Sequence, residues 1–265
     1  MSSEQWDRLS ERCKWYENQM YSSLARKDQP LLARLDGRAF HTFTKGMNRP
    51  YDERLSKCMI ETAKGIVEEF HPTLAYTQSD EITLMWYLSE EFPSAEYPFN
   101  GRLQKLVSVL AGYASSTFTL QMKEHFPNKQ AIPCFDCRIW SVPTKDDVVD
   151  NFSWRNWDAR KNSVTMAASS VYSHRELLNK NTKTKLEMLS AKGIDWRSYP
   201  NFFRCGTFLA RKKYKVVLSE EEYNKIPKKH RPETKEVIRS KVVEVTIDSI
   251  TWETLVNGGS NDGLS

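Results

Sequence analysis

From residue 30 to residue 142 the apolar side chains switch between two spacings, and the order of the switches leaves few folds open. "PLLARL" (30–35) is a short apolar run ending at Asp36-Gly37, which reads as a strand entering a tight turn. Leu55, Met59, Thr62, Ile66 and Phe70 then recur every three or four residues. That spacing predicts a helix, with Asp52 as its cap and Pro72 as its stop. "TLAYTQ" and "EITLMWYL" flank Ser79-Asp80 and predict a β-hairpin. Leu103, Leu106, Leu110, Ala114 and Phe118 predict a second helix, and "CRIWSV" (137–142) a fourth strand. Strand, helix, strand, strand, helix, strand is the split βαβ, ferredoxin-like order. It implies an antiparallel sheet with both helices on one face and the other face free.

The flanking segments fit an α+β chain. Residues 3–26 carry Trp6, Leu9, Cys13 and Met20 at helical spacing, and long helices are predicted over 145–172 and 181–193. Extended segments are expected at 203–218 and 241–247, around a basic loop, "IPKKHRPETKE". The expected division is the split βαβ unit with its N-terminal helix over 1–143, a helical and extended region packed on it over 144–257, and a flexible tail over 258–265. With 39% hydrophobic and 12% aromatic residues the chain can build an ordinary core. No apolar run is long enough for a membrane span, and "MSSEQWDRLSERC" lacks the apolar stretch of a signal peptide. Five cysteines without such a signal point to reduced thiols and a cytoplasmic address. The net charge of +5, from 39 bases and 34 acids, suits a polyanionic partner without requiring one.

Asp36 ends the first strand, and Asp80 sits in the hairpin between the second and third. In a split βαβ sheet the first and third strands are adjacent, so the two carboxylates can meet. Carboxylates brought together raise each other's pKa unless a cation lies between them. With the Gly37 carbonyl they would form an oxygen donor set suited to Mg²⁺, and two such ions serve phosphoryl chemistry. The competing reading is that Asp36 and Asp80 are ordinary turn residues.

The runs "RLDGRAFHTFT", "YTQSDEITL", "FNGRLQKLVSVLAGYASSTF", "FDCRIW", "SWRNWDARKNS" and "FFRCGT" resemble, in order, those of the tRNA-histidine guanylyltransferase family and its bacterial-type relatives. The resemblance covers roughly residues 28–212. It implies a polymerase-like palm and a two-step reaction. ATP activates a 5′-monophosphorylated tRNA, and the 3′-hydroxyl of an incoming GTP or other NTP then attacks the activated phosphate. It further implies that Asp36, Gly37 and Asp80 hold two Mg²⁺ ions, with Glu81 as an acidic neighbour. Arg38, Ala39, Phe40, His41, Arg49, Ser79, Arg102 and Lys105 would lie along the nucleotide. Arg155, Asn162, Arg204, Lys212 and Lys213 would contact tRNA, and the assembly would be a homotetramer.

Two departures stand out. "RKNS" (160–163) replaces a histidine-isoleucine-asparagine-asparagine run, a difference that points to template-dependent repair of 5′-truncated tRNAs. The alternative is dedicated guanylyl addition to histidine tRNA. Cys205 stands where the family usually has lysine. Palm folds with paired acids also serve as nucleotide cyclases, but these do not account for "FNGRLQK" or the basic second half. "CFDC" (134–137) is a lone pair of cysteines and weak grounds for zinc. Trp154 and Trp157, interleaved with bases, suit either nucleobase stacking or a half-buried helix face.

Overall fold

A computed structural model describes residues 11–15, 23–88 and 94–259. Of the N-terminal segment predicted as a helix, residues 11–15 are helical, and most of the remainder lies outside the described residues. The main elements are β1 (Leu31–Gly37), α1 (Phe40–Phe43), α2 (Glu53–Phe70), β2 (Leu74–Gln78), β3 (Glu81–Trp86), α3 (Leu103–His125) and β4 (Phe135–Ser141). They continue with α4 (Lys145–Ser169), α5 (His174–Leu177), α6 (Thr182–Ala191), α7 (Asn201–Arg204), β5 (Thr207–Val217), α8 (Glu220–Lys225), β6 (Glu236–Val245) and α9 (Trp252–Val256). No described helix is long and apolar enough to cross a membrane.

The strands form one antiparallel sheet in the order β4-β1-β3-β2-β5-β6. Its first four strands are the ferredoxin-like set, with β1 and β3 side by side. Alternation along β1 feeds two cores. Leu31, Ala33 and Leu35 join Met59, Ile66, Phe70, Leu110 and Phe118 beneath α2 and α3. Leu32 faces the other way. Helix α2 starts where Asp52 accepts the Arg54 N–H at 3.1 Å, and it ends at His71 in the left-handed region.

The second sheet face is not free. Val148 and Phe152 of α4 pack on Leu32, Leu74, Tyr76, Met85 and Phe208, and Leu255 of α9 closes the same cluster. Helix α4 is begun by a capping box in which Thr144 and Asp147 bond reciprocally. The expectation of an open face fails because the second half of the chain supplies both a covering helix and two further strands. At the seam, the Cys205 carbonyl accepts both the Tyr76 hydroxyl at 2.7 Å and the Asn156 amide at 2.8 Å. Beyond β6, Gly258 and Gly259 are hydrogen-bonded into the molecule, so a free tail does not begin at 258.

Candidate active site

Strand β1 delivers Asp36 and Gly37 to the end of the sheet where the β2–β3 hairpin turns. The Gly37 N–H donates to the Asp80 carbonyl at 2.9 Å, which pins the turn against the end of β1. Ser79, at φ 52°, takes the left-handed conformation that this turn requires. Asp36 lies opposite Glu81 on β3 and opposite Asp136 on β4, so the three acids form one row across the sheet.

Asp80 feels this crowding. Burial pushes its carboxyl above the usual carboxylate range, and the nearby charges of Asp36 and Glu81 add to the rise. Its own backbone N–H and the Ser79 side chain only partly oppose the shift. A hard cation between Asp36 and Asp80 would relieve both the desolvation and the repulsion. Among the described residues no three His, Cys, Asp or Glu side chains converge on a metal position. Two carboxylates with main-chain oxygens would make a donor set that fits Mg²⁺, an ion that keeps waters and substrate phosphates as its other ligands.

Beside Asp80 opens a cavity of about 310 Å³, edged by His41, Arg49, Tyr51, Ser79 and Met166. His41 and Arg49 are exposed, and the His41 ring shares a 3.0 Å hydrogen bond with Thr42. Phe40 also lines the cavity, but its ring belongs mainly to the first core, tilted against Phe118 and Phe135. That ring explains Gly37, because a Cβ there would sit 2.4 Å from it. Ala39, at φ 55°, starts α1 by accepting from the Thr42 and Phe43 N–H groups. Arg38 is exposed, and its backbone N–H donates to the Cys134 carbonyl at 2.9 Å.

Several expected contacts are rearranged. Glu81 is no open ligand. Arg155 Nε donates to its Oε1 at 2.8 Å, a terminal nitrogen of Arg155 bonds its other oxygen, and Thr83 donates at 3.1 Å. Arg155 is thereby buried and committed, and lies 3.3 Å from Asp158 as well, so it is not a free tRNA contact. Lys212 is likewise occupied, donating to the carbonyls of Asn257 at 2.8 Å and Gly259 at 3.2 Å. Asn162 is exposed, with its amide on Asp158. Arg204 lies over the Trp196 ring and lines a second cavity with Asn156 and Arg160, while Lys213 is exposed on β5.

Arg102 and Lys105 are at the wrong end of α3 for this cavity. The Lys105 ammonium packs on Phe99, which packs on Phe70 at the C-terminal end of α2. It is Phe118, further along α3, that meets Phe40 beside the acids. The helical rise from Lys105 to Phe118 is about 20 Å. Arg34 is a residue that the sequence reading passes over. It shares the Asp36 face of β1, and its buried Nε has no hydrogen-bond partner. The alternation in "ARLDG" is the available signal.

Residues 10–143 match the protein family described as Thg1, tRNAHis guanylyltransferase. The tRNA(His) guanylyltransferase of Debaryomyces hansenii is 32% identical over 202 residues, covering 69% of this chain and 74% of that protein. The tRNA(His) guanylyltransferase 2 of Arabidopsis thaliana is 29% identical over 206 residues, 72% of this chain, but the match spans only 37% of that longer protein. Among solved structures, a bacterial tRNA(His) guanylyltransferase (Thg1)-like protein in complex with ATP superposes with a TM-score of 0.71 at 33% identity. That superposition covers 77% of this chain and 87% of the other. A bacterial Thg1-like protein in complex with GTP gives 0.69 at 28% identity, covering 89% and 90%.

Proposed function

Because this chain belongs to the Thg1, tRNAHis guanylyltransferase, family, we propose that it transfers nucleotides to the 5′ end of tRNA at the cavity beside Asp36 and Asp80. The observation that carries the reading is the juxtaposition of these two acids, with Asp80 half-buried and its carboxyl raised next to a cavity edged by His41, Arg49 and Ser79. Asp36 and Asp80 would hold Mg²⁺, which when bound supplies charge neutralisation and acidifies an attacking hydroxyl. Arg49 offers two parallel donors to a phosphate, and Ser79 offers a hydroxyl at the same rim. Tyr51, Met47 and Met166 give the cavity apolar walls suited to a nucleobase. The ATP and GTP complexes of the bacterial Thg1-like proteins support nucleoside triphosphates as occupants.

Guanylyl addition to histidine tRNA is the first reading, supported by the names of the relatives. Repair of 5′-truncated tRNAs is the second, favoured by "RKNS" at 160–163 and by the likeness to bacterial Thg1-like proteins. A tetramer belongs to the same proposal, as the arrangement in which Arg102 and Lys105 of one copy reach a nucleotide held by another. The test incubates the protein with Mg²⁺, ATP, labelled GTP, and either full-length histidine tRNA or a 5′-truncated tRNA. Growth at the 5′ end is expected, and the preferred substrate separates the two readings. Folded protein that extends neither RNA, from monophosphate or triphosphate ends, would overturn the proposal.

A further inference from the structure

Helix α4 carries two indoles that its packing does not use. Val148 and Phe152 are fully buried in the second core, whereas Trp154 and Trp157 are 51% and 60% exposed. Their spacing of about one helical turn places them on one side, with Lys161 following a turn later. Trp154 is nonetheless held in place. The Arg155 guanidinium lies 4.5 Å from its ring centroid and is itself fixed by Glu81, and Arg34 lies 5.9 Å from the same ring. The Lys161 ammonium sits 5.4 Å from the Trp157 ring.

The rim carries acids as well as bases: Asp36 borders Arg34 on β1, and exposed Asp150 precedes Trp154 by one helical turn. Asp158 is engaged by Arg155 and Asn162, and Asp136 by Arg138. Arg34 and Lys161 have no ion-pair partner among the described residues. Arg34 stands two residues from Asp36 on the same strand face, a separation of about 7 Å. Rigid exposed aromatic faces bordered by unpaired cations are the chemistry that takes unpaired nucleobases and their phosphates.

We propose that Trp154 and Trp157 form a stacking platform for unpaired bases of the RNA substrate next to the end being extended. This rests on the reading that Asp36 and Asp80 act on an RNA 5′ end. It adds a preference that the acids alone do not supply: an acceptor stem with unpaired bases opposite the missing 5′ nucleotides is held more tightly than a fully paired one.

The test measures binding of two labelled RNAs, a tRNA lacking its first 5′ nucleotides and the same tRNA fully paired, by fluorescence anisotropy without NTPs. Trp154→Ala with Trp157→Ala should weaken binding of the truncated RNA roughly ten- to hundredfold and affect the paired RNA much less. Trp154→Phe with Trp157→Phe should restore most of the loss, since a ring still stacks. Equal binding by wild type and the alanine pair would overturn the platform. So would an equal loss for both RNAs, a phenylalanine pair as weak as the alanine pair, or a changed oligomeric state with unchanged RNA affinity, which would make this face a contact between copies. Wild-type protein that shows the binding contrast but never extends RNA would retain the platform and remove the polymerase reading. Wild-type extension with no contrast would do the reverse.

Discussion

At the scale of single residues, Asp80 is the most informative group. Its raised carboxyl means that ionising it in the folded, metal-free protein costs stability. That contribution is fully present below the ordinary carboxylate range and is lost as pH rises through the higher folded value. Asp80→Asn should therefore unfold at a higher temperature than wild type at pH 7 without Mg²⁺, with the gap closing toward pH 4. Mg²⁺ should raise the wild-type melting temperature and leave the variant unmoved, and the variant should not extend RNA. Scanning calorimetry at the two pH values, with and without Mg²⁺, checks the stability statements, and the 5′-extension assay checks the last. The Glu81–Arg155 pair behaves differently, because each buried charge depends on the other for its neutralisation. Glu81→Gln or Arg155→Ala should cost about 3–5 kcal/mol in urea unfolding. Replacing both with apolar residues of similar volume should cost less than either single change.

Residue positions are legible where they stand beside a turn signal and illegible where they depend on a distant partner. Asp36 and Asp80 announce themselves at Asp-Gly and Ser-Asp. Nothing near Arg155 announces that its partner is Glu81, on a strand much earlier in the chain. Its place among interleaved bases suggests an RNA contact instead.

At the scale of elements, the strand and helix order of the first half is readable because its periods are clean. In α3 the buried residues Leu106, Leu110, Ala114, Phe118 and Met122 recur every fourth position. The buried side of α4 instead includes Arg155 and Ser163, so its apolar stripe is blurred and its docking on the sheet leaves little trace in the sequence. The distance of Arg102 and Lys105 from the acids follows from strand order. Strand β3 leaves the hairpin and runs away from Asp80, so the helix that follows it begins at the far end. The junction of α7 with β5 is a further element-scale constraint. Gly206 has φ +74°, and a Cβ there would lie 2.7 Å from the Thr77 carbonyl. Gly206→Ala should cost at least about 1–2 kcal/mol from backbone strain alone. Chemical denaturation measures it, and a neutral result would mean the junction can shift.

At the scale of the whole molecule, the sheet does not stop where the polymerase-like set ends. Strand β5 pairs with β2, and the face beneath α4 holds Leu32, Leu74, Tyr76 and Met85, all fully buried. A fragment ending at residue 143 would bare that face and leave the β2 edge open. It is expected to aggregate or bind a hydrophobic dye, while the full chain stays dispersed. Light scattering decides this, and a monomeric fragment with cooperative unfolding would refute it. The joint between the halves is beyond sequence reasoning, since pairing of β2 with β5 leaves no local mark on either strand.

The bonds at position 205 have an evolutionary corollary. What joins Tyr76 and Asn156 there is a peptide oxygen, which every amino acid owns, so selection on this junction falls on chain path rather than residue identity. A cysteine can stand in a lysine's place without loosening the three segments it ties, leaving its side chain available for drift.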